Sequence, residues 1–361
     1  MMVKTETLKA GCKLTKDVYS KSVKPLMKAG TVLNATHIAF LKAFLIEQVE
    51  VDRLMPGIVK NPVEKKEVRE TAKPSKKSSE PKPSFSPLDQ KYWQSVKAYQ
   101  VFFANWQSGA SVSIGDFRSA MMPLIMDLVE DPMWLASFLV RHGRVENLAD
   151  RSVTFGLLSA FFAKRSNYST GDTVQFGLAG MLADCGLSKL PPSLLNKKDA
   201  YVGSERALYE RHAVDSYKML KGLQTLKNET VIAVVQHHER EDGSGFPLNI
   251  KGDQLSLNGK MLMICDSFLD HMSKSRSGNV LSALDTLREF SYGKLSRYLL
   301  DKFCYELMTL FIGMTIQLSD EQTGEITFIP TKEPTRPMIH LANNEVISLA
   351  ENRNVTIERF M

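Results

Sequence analysis

No run of apolar residues in this chain approaches the ~20 needed to cross a bilayer, so no membrane span is expected. Met1 to Thr7 has nothing like the apolar core of a secretion signal. The four cysteines (Cys12, Cys185, Cys265 and Cys304) are scattered and form no Cys-x-x-Cys pair. That spacing argues against a zinc ribbon or a disulfide framework and for free buried thiols in a reducing cytoplasm, the expected location. A strong excess of one sign of charge is also missing. The formal net charge is only +6, and much of it falls in a polar stretch rather than on one folded face, so DNA is not an expected partner. Strand–helix alternation is absent too, which argues against a parallel α/β sheet.

The 361 residues present are enough for two or three domains and a large core. Residues 1–56 read as a small α+β module. Strand candidates surround Cys12–Leu14 and Thr31–Leu33, with Gly30 at the turn. Asn34 can cap a helix that presents Ile38, Leu41, Phe44 and Leu45 at helical spacing, and Gln48 to Val51 alternates like an edge strand. His37 reads as a surface or capping histidine. Residues 57–88 are rich in Lys, Glu, Pro and Ser and cannot bury enough apolar surface to fold alone, so they read as a flexible linker.

Residues 89–311 carry helical periodicity almost throughout and read as an all-α domain. Tyr92, Val96, Tyr99, Phe102, Phe103 and Trp106 form an aromatic stripe suited to packing. From residue 312 to 361 the period changes to two. Met314–Leu318, Glu325–Phe328, Met338–Leu341, Val346–Leu349 and Val355–Phe360 alternate and are separated by turn residues, which predicts a small antiparallel sheet. His340 reads as structural or exposed. The expected fold class is therefore mainly α: a helical bundle with an α+β module before it and an antiparallel β segment after it.

Several polar residues stand where an apolar core is expected. Asp184 ends the run Phe176–Ala183, at the unfavourable end of a helix dipole. Asp266 sits inside Met261–Leu269, although acids are seldom buried unless paired or metal-bound. His212 lies on a part-apolar helical face. His237 and His238 follow Val231–Val235 and precede a Gly-rich turn, Asp242-Gly243-Ser244-Gly245, where a ligand can approach the backbone. A lone buried aspartate is ordinarily met by an arginine or by backbone donors, and a lone core histidine is ordinarily hydrogen-bonded. Together these residues supply a carboxylate and imidazole set suited to a divalent transition metal.

The stretch His237-His-Glu-Arg-Glu-Asp-Gly-Ser-Gly-Phe-Pro247 resembles the HHE-x-x-DG-x-GYP signature of the HD-GYP proteins. These are HD-superfamily metal-dependent phosphohydrolases that hydrolyse cyclic di-GMP. Ala183 to Pro191 is similar to the family's HD-x-GK-x-x-x-P. Glu205 and His212 are similar to its E…H helix, and Asp266 to its late aspartate. The resemblance extends to the terminal modules. It implies an HD-type helical bundle, a metal centre and a nucleotide ligand.

The departures are specific. The HD pair is here Ala183-Asp184, the lysine after it is Leu187, an earlier metal-binding histidine is matched by Arg151, and GYP is Gly245-Phe246-Pro247. Carried over residue by residue, the resemblance implies that Asp184, His212, His237 and His238 keep the protein shell of one metal. The other position keeps only Asp184 and Asp266 and gains Arg151. The expectation is a single divalent ion (iron, manganese or zinc) with the Arg151 guanidinium at the charge position of the lost one. Arg151, Arg240, Asp242, Gly243, Gly245, Phe246, Pro247 and Arg276 are the candidate ligand-binding residues for cyclic di-GMP or a related nucleotide. The expected function is signalling by binding, with phosphodiesterase activity absent or strongly reduced. An active phosphodiesterase and an adaptor that no longer binds nucleotide are the alternatives, and the terminal modules are candidate sites for a protein partner.

Overall fold

The computed structural model describes residues 1–19, 27–34, 37–38, 41–42, 46–52, 86–143, 145, 147–195, 197, 200–274 and 279–361. The region expected to be a linker, and the candidate ligand residue Arg276, fall largely or wholly outside them.

Helix α1, Pro87–Gln107, starts at a capping box. Ser86 Oγ accepts from Asp89 N at 3.1 Å and Asp89 Oδ2 accepts from Ser86 N at 2.9 Å, with Pro87 in the first turn. It buries the stripe Tyr92, Val96, Tyr99, Phe103 and Trp106. Helices α2 (Ile114–Glu130) and α3 (Met133–His142) flank the break at Asp131-Pro132. Helix α4, Leu148–Arg165, is the centre of the bundle, buried on nearly every side from Ala149 to Ala163.

Helix α5, Thr170–Leu182, packs tightly on α4 because glycines face each other across the contact. A Cβ on Gly156 would lie 2.6 Å from Gly177 O, and one on Gly180 would lie 2.9 Å from Gly156 Cα. A 3-10 turn, Cys185–Lys189, follows. Then come α6 (Pro192–Leu195), α7 (Ser204–Glu210), α8 (His212–Leu220), α9 (Asn228–Gln236), α10 (Leu257–Lys274), α11 (Val280–Phe290) and α12 (Arg297–Thr309). The segment expected to be one helix carrying Glu205 and His212 is two, α7 and α8, joined at Arg211.

Strands β1 (Met2–Lys4) and β2 (Gln48–Glu50) pair antiparallel, and Lys13 bridges Val32 where the early strand candidates lie. The sequence pattern did not mark Met2–Lys4 as a strand. His37 is buried and is the capping rather than the surface residue: its backbone N–H donates to Asn34 Oδ1 at 2.7 Å and its Nδ1 lies 3.2 Å from Asn34 N. Phe44 and Leu45, the far end of the helix expected there, lie outside the described residues.

Strands β3 (Thr315–Leu318), β4 (Thr323–Phe328), β5 (Met338–Leu341), β6 (Val346–Ser348) and β7 (Ile357–Phe360) form one antiparallel sheet in the order β6-β5-β4-β3-β7. Alternation divides its side chains between two cores. Ile316, Leu318, Ile326, Ile339 and Leu341 join the helical core, while Met338 and Val346 join the core of the N-terminal module with Leu14, Leu33, Leu41 and Val49. No described helix is long and apolar enough to cross a membrane. All four cysteines are free and buried.

Candidate metal centre

Five separate chain segments deliver the polar residues to one place. Arg151 sits in the first turn of α4, which Asn147 caps by accepting from Asp150 N at 3.1 Å. Asp150 is fully buried. Its carboxylate accepts from the Tyr92 hydroxyl on α1, and His142 Nε2 of α3 lies 3.0 Å from both of its oxygens. This network fixes the start of α4 against its two neighbours, and with it the root of Arg151.

Asp184 follows α5 and opens the 3-10 turn. That turn lies against the start of α8 because residue 186 is glycine: a Cβ there would meet His212 O at 2.2 Å and Ser216 N at 2.5 Å. Ser216 Oγ closes the contact, accepting from Gly186 N at 2.8 Å and donating to Ala183 O at 2.7 Å. His237 and His238 come just past the end of α9, and Asp266 projects from the middle of α10.

The four residues Asp184, His212, His237 and His238 are buried, and one ligand atom from each lies within 4.8 Å of all the others. His212 Nδ1 meets Tyr209 O at 2.5 Å and His237 Nδ1 meets Val234 O at 2.6 Å. A backbone carbonyl can only accept, so each Nδ1 carries a proton, and the Nε2 of a neutral ring is left to present its lone pair to a metal. Those Nε2 atoms approach Asp184 Oδ1 at 3.2 and 3.5 Å, yet among the described residues they and His238 Nε2 have no hydrogen-bond partner. Three buried imidazole nitrogens without partners around one carboxylate are costly unless something accepts their lone pairs. This donor set fits a divalent transition metal.

The other side of Asp184 is different. Arg151 Nη1 donates to Asp184 Oδ2 at 2.9 Å, and Nη2 donates to Asp266 Oδ1 at 2.6 Å and to Asp270 Oδ1 at 2.9 Å. Asp266 also lies beside His238, whose Nδ1 is 3.1 Å from Oδ2. Burial alone would raise the pKa of Asp184. The His212 and His237 imidazoles and the Arg151 guanidinium outweigh it and hold the group well below the usual carboxylate range. Asp266 is likewise buried and likewise held low, chiefly by Arg151 and then by His238. The three carboxylates in turn keep Arg151 charged against its own burial.

The two adjacent histidines part company. Burial and then the charge of His237 push His238 down to about 3, whereas Asp184 and Asp266 overcome burial and raise His237. Cys185 is not part of this donor cluster, and burial pushes its thiol up to about 12 in the metal-free protein.

The signature loop is held by Glu239 and by glycine. Glu239 Oε1 accepts from Leu248 N at 2.6 Å, and a Cβ at Gly245 would lie 2.4 Å from Arg240 N. Gly243 has a φ of +81°, which favours glycine. Phe246 brings its ring to 4.6 Å from that of His238, with Pro247 half-buried beside it. Arg240 Nη1 donates to Glu239 O at 2.7 Å. Asp242 is exposed and accepts from Ser244 N at 2.9 Å, which makes it a turn-forming residue in this structure.

Two residues at the site were not marked by the sequence reading. Asp270 is one helical turn beyond Asp266, on the same face of α10, and that i,i+4 spacing was an available signal. Tyr209 lies three residues before His212, and nothing in its local sequence distinguishes it from a packing aromatic. Burial drives its phenol well above the ordinary value, with Asp184 adding to the effect.

Comparison with known proteins places this arrangement among relatives. Residues 140–295 match the model of the HD domain family. The cyclic di-GMP phosphodiesterase PA4108 of Pseudomonas aeruginosa is 35% identical over 92 residues, covering 26% of this chain and 22% of that protein. The cyclic di-GMP phosphodiesterase response regulator RpfG of Xanthomonas campestris pv. campestris is 27% identical over 164 residues, covering 42% of this chain and 43% of that protein. The match therefore spans less than half the length of either relative. Among solved structures, Bd1817, an HDG"Y"P protein from Bdellovibrio bacteriovorus, superposes with a TM-score of 0.51 at 13% identity. It covers 84% of this chain and 97% of that one, a likeness of fold.

Proposed function

The chain belongs to the HD superfamily, in the HD-GYP family, and on that premise we propose that it signals by binding. It takes one divalent metal ion and a cyclic dinucleotide, cyclic di-GMP or a close relative, with phosphodiester hydrolysis absent or strongly reduced. The observation that carries this reading is the Arg151 guanidinium, shared among Asp184, Asp266 and Asp270 at 2.9, 2.6 and 2.9 Å. A fixed cation already occupies the carboxylates that a second metal would need.

Asp184, His212, His237 and His238 would hold the ion. A bound transition metal supplies Lewis acidity and a water of lowered pKa. The two-metal clamp on attacking and leaving oxygens has no counterpart here. Leu187 stands, apolar and buried, where the family pattern has a lysine. One electrostatic donor is commonly worth about a hundredfold to a thousandfold in rate, so these losses together favour binding over turnover. Arg240 and the backbone of Gly243 and Gly245 are the ligand contacts in this reading, with Phe246 as an apolar wall. The N-terminal module and the C-terminal sheet, joined by a shared core, offer a surface for a protein partner.

The second reading is a slow phosphodiesterase. The free Nε2 atoms of His212 and His237 favour it, because one intact metal shell can still activate water. Metal analysis, calorimetry with cyclic di-GMP and product assay with added manganese or iron decide between them. The expected result is one metal per chain, saturable nucleotide binding and turnover near background. Two tightly bound metals in the wild-type protein would sink the proposal. Rapid hydrolysis would transfer it to the second reading, and absence of nucleotide binding would leave an adaptor.

A further inference from the structure

Tyr209 has a backbone role and an idle side chain. Its carbonyl oxygen receives the His212 Nδ1 proton at 2.5 Å. Its ring packs 4.7 Å from Tyr201 at an interplanar angle of 17°, 4.9 Å from His212 and 6.3 Å from Phe246, which meets it edge-on. The ring is thus clamped between Tyr201 and the histidine cluster, next to the residue that replaces tyrosine in the signature. The Tyr201 hydroxyl is engaged, donating to Leu194 O at 2.9 Å. Among the described residues the Tyr209 hydroxyl has no hydrogen-bond partner. The side chain remains partly exposed, and its phenol lies within electrostatic reach of Asp184, Arg151, Asp266 and Asp270.

A half-buried phenol with a fixed ring and an unengaged oxygen is a preorganised donor. No described carboxylate oxygen accepts from it, and the Arg151 guanidinium, bound to one oxygen of each of Asp184, Asp266 and Asp270, supplies a neighbouring positive charge. The acceptor that fits such a donor is an incoming anion. We propose that the Tyr209 hydroxyl donates a hydrogen bond to a phosphate-ester oxygen of the ligand, standing in for the hydroxyl that position 246 does not have. This rests on the reading that the site takes a phosphate-bearing nucleotide. It adds a specificity residue from a different helix: the donor reaches the site from α7, not from the signature loop.

The test is calorimetric titration of the metal-loaded full chain with cyclic di-GMP, guanosine monophosphate and inorganic phosphate. Wild type, Tyr209→Phe and the double variant Tyr209→Phe/Phe246→Tyr are compared. Tyr209→Phe keeps the ring and the backbone carbonyl, so metal content and melting temperature should stay at wild-type values. Its affinity for cyclic di-GMP should fall about tenfold to a hundredfold, the range for a hydrogen bond to a charged group. Restoring a phenol at position 246 should recover most of that loss. Wild-type affinity in Tyr209→Phe overturns the proposal, and a double variant no better than the single one overturns the exchange of one hydroxyl for the other. Binding of the monophosphate or phosphate alone, weakened by Tyr209→Phe, keeps the hydroxyl assignment and removes the cyclic-dinucleotide reading. Failure of wild type to bind any of the three overturns both.

Discussion

The two sides of Asp184 have opposite chemistry, and the arginine side is the less buried of the two. Toward α8 and α9, Oδ1 faces His212 and His237, whose ring protons are committed to backbone carbonyls and whose Nε2 atoms are left without partners. Toward α4 and α10, Oδ2 meets a guanidinium that also holds Asp266 and Asp270. One side is complete as ligands and incomplete as a hydrogen-bond network. On the other, Arg151 ties one oxygen of each carboxylate into an ion-pair network and leaves Asp266 Oδ2, 3.1 Å from His238 Nδ1, without a hydrogen bond among the described residues. On the reading proposed above, the contrast is that of a binuclear type of site in which an arginine has replaced part of one metal's donor set. The stranded carboxylates must still be compensated, because an unpaired buried charge is far more costly than a paired one. An arginine can reach three of them at once through its forked donors.

The largest effect should come from the residue common to both sides. Asp184→Ala removes the shared carboxylate. Metal content should fall to background, and unfolding should cost about 3–5 kcal/mol less, the usual penalty for breaking a buried ion pair. Metal analysis and urea denaturation of the same preparation read both. Metal content unchanged from wild type would break the assignment of the histidine side.

Arg151→Met should separate the two sides. It leaves Asp266 and Asp184 without their cation and should destabilise the protein by about 3 kcal/mol, while the four-residue shell of His212, His237, His238 and Asp184 keeps its metal. Asp270 is more exposed, at 42% of its side chain, and should contribute little of that loss. If metal is lost along with stability, the two sides are one unit and the comparison fails.

The smallest effect is the pH dependence of the metal-free protein near neutrality, because its two central histidines act in opposite senses. His238 has a folded value of about 3. It takes up a proton only on unfolding as pH drops below about 6.5, so it lowers stability there. His237 has a raised folded value, so its contribution is present below about 6.5 and is lost as pH rises through that folded value. Asp184 and Asp266 have lowered folded values. Their contribution is full above pH about 4 and is lost as pH falls further, through those folded values. Urea midpoints should therefore change little from pH 8 to 5 and drop steeply below about 4. His238→Gln should remove only the downward part of the upper limb. A steep fall already at pH 6 in wild type would show that the histidines do not offset each other.

Much of the fold was legible because periodicity is a local property. The change from helical to alternating spacing near residue 312 placed five strands close to where they lie. The glycines and histidines of the signature were likewise readable as a motif. Of the two readings of His37, the capping one matches its exchange with Asn34, while its burial was not legible because it depends on packing among distant parts of the N-terminal module. Met2–Lys4 escaped notice because three residues are too few to show alternation. The single helix expected around Glu205 and His212 is broken at Arg211 by a junction with no glycine or proline to announce it.

For the site itself, residue types marked Asp184, His212, His237, His238 and Asp266 as polar groups in an apolar setting, and only the family resemblance implied that Ala183, Leu187, Arg151 and Phe246 stand at exchanged positions. Side-chain chemistry sets what each group can donate or accept wherever it ends up. Distances across the fold were decided elsewhere. Arg151 and Asp270 are 119 positions apart and meet because α4 and α10 pack together. Tyr209 becomes an idle donor beside the site because α7 ends where α8 begins. Those meetings depend on how helices dock and which rotamers the core permits, and neither is encoded in any window short enough to be read along the chain.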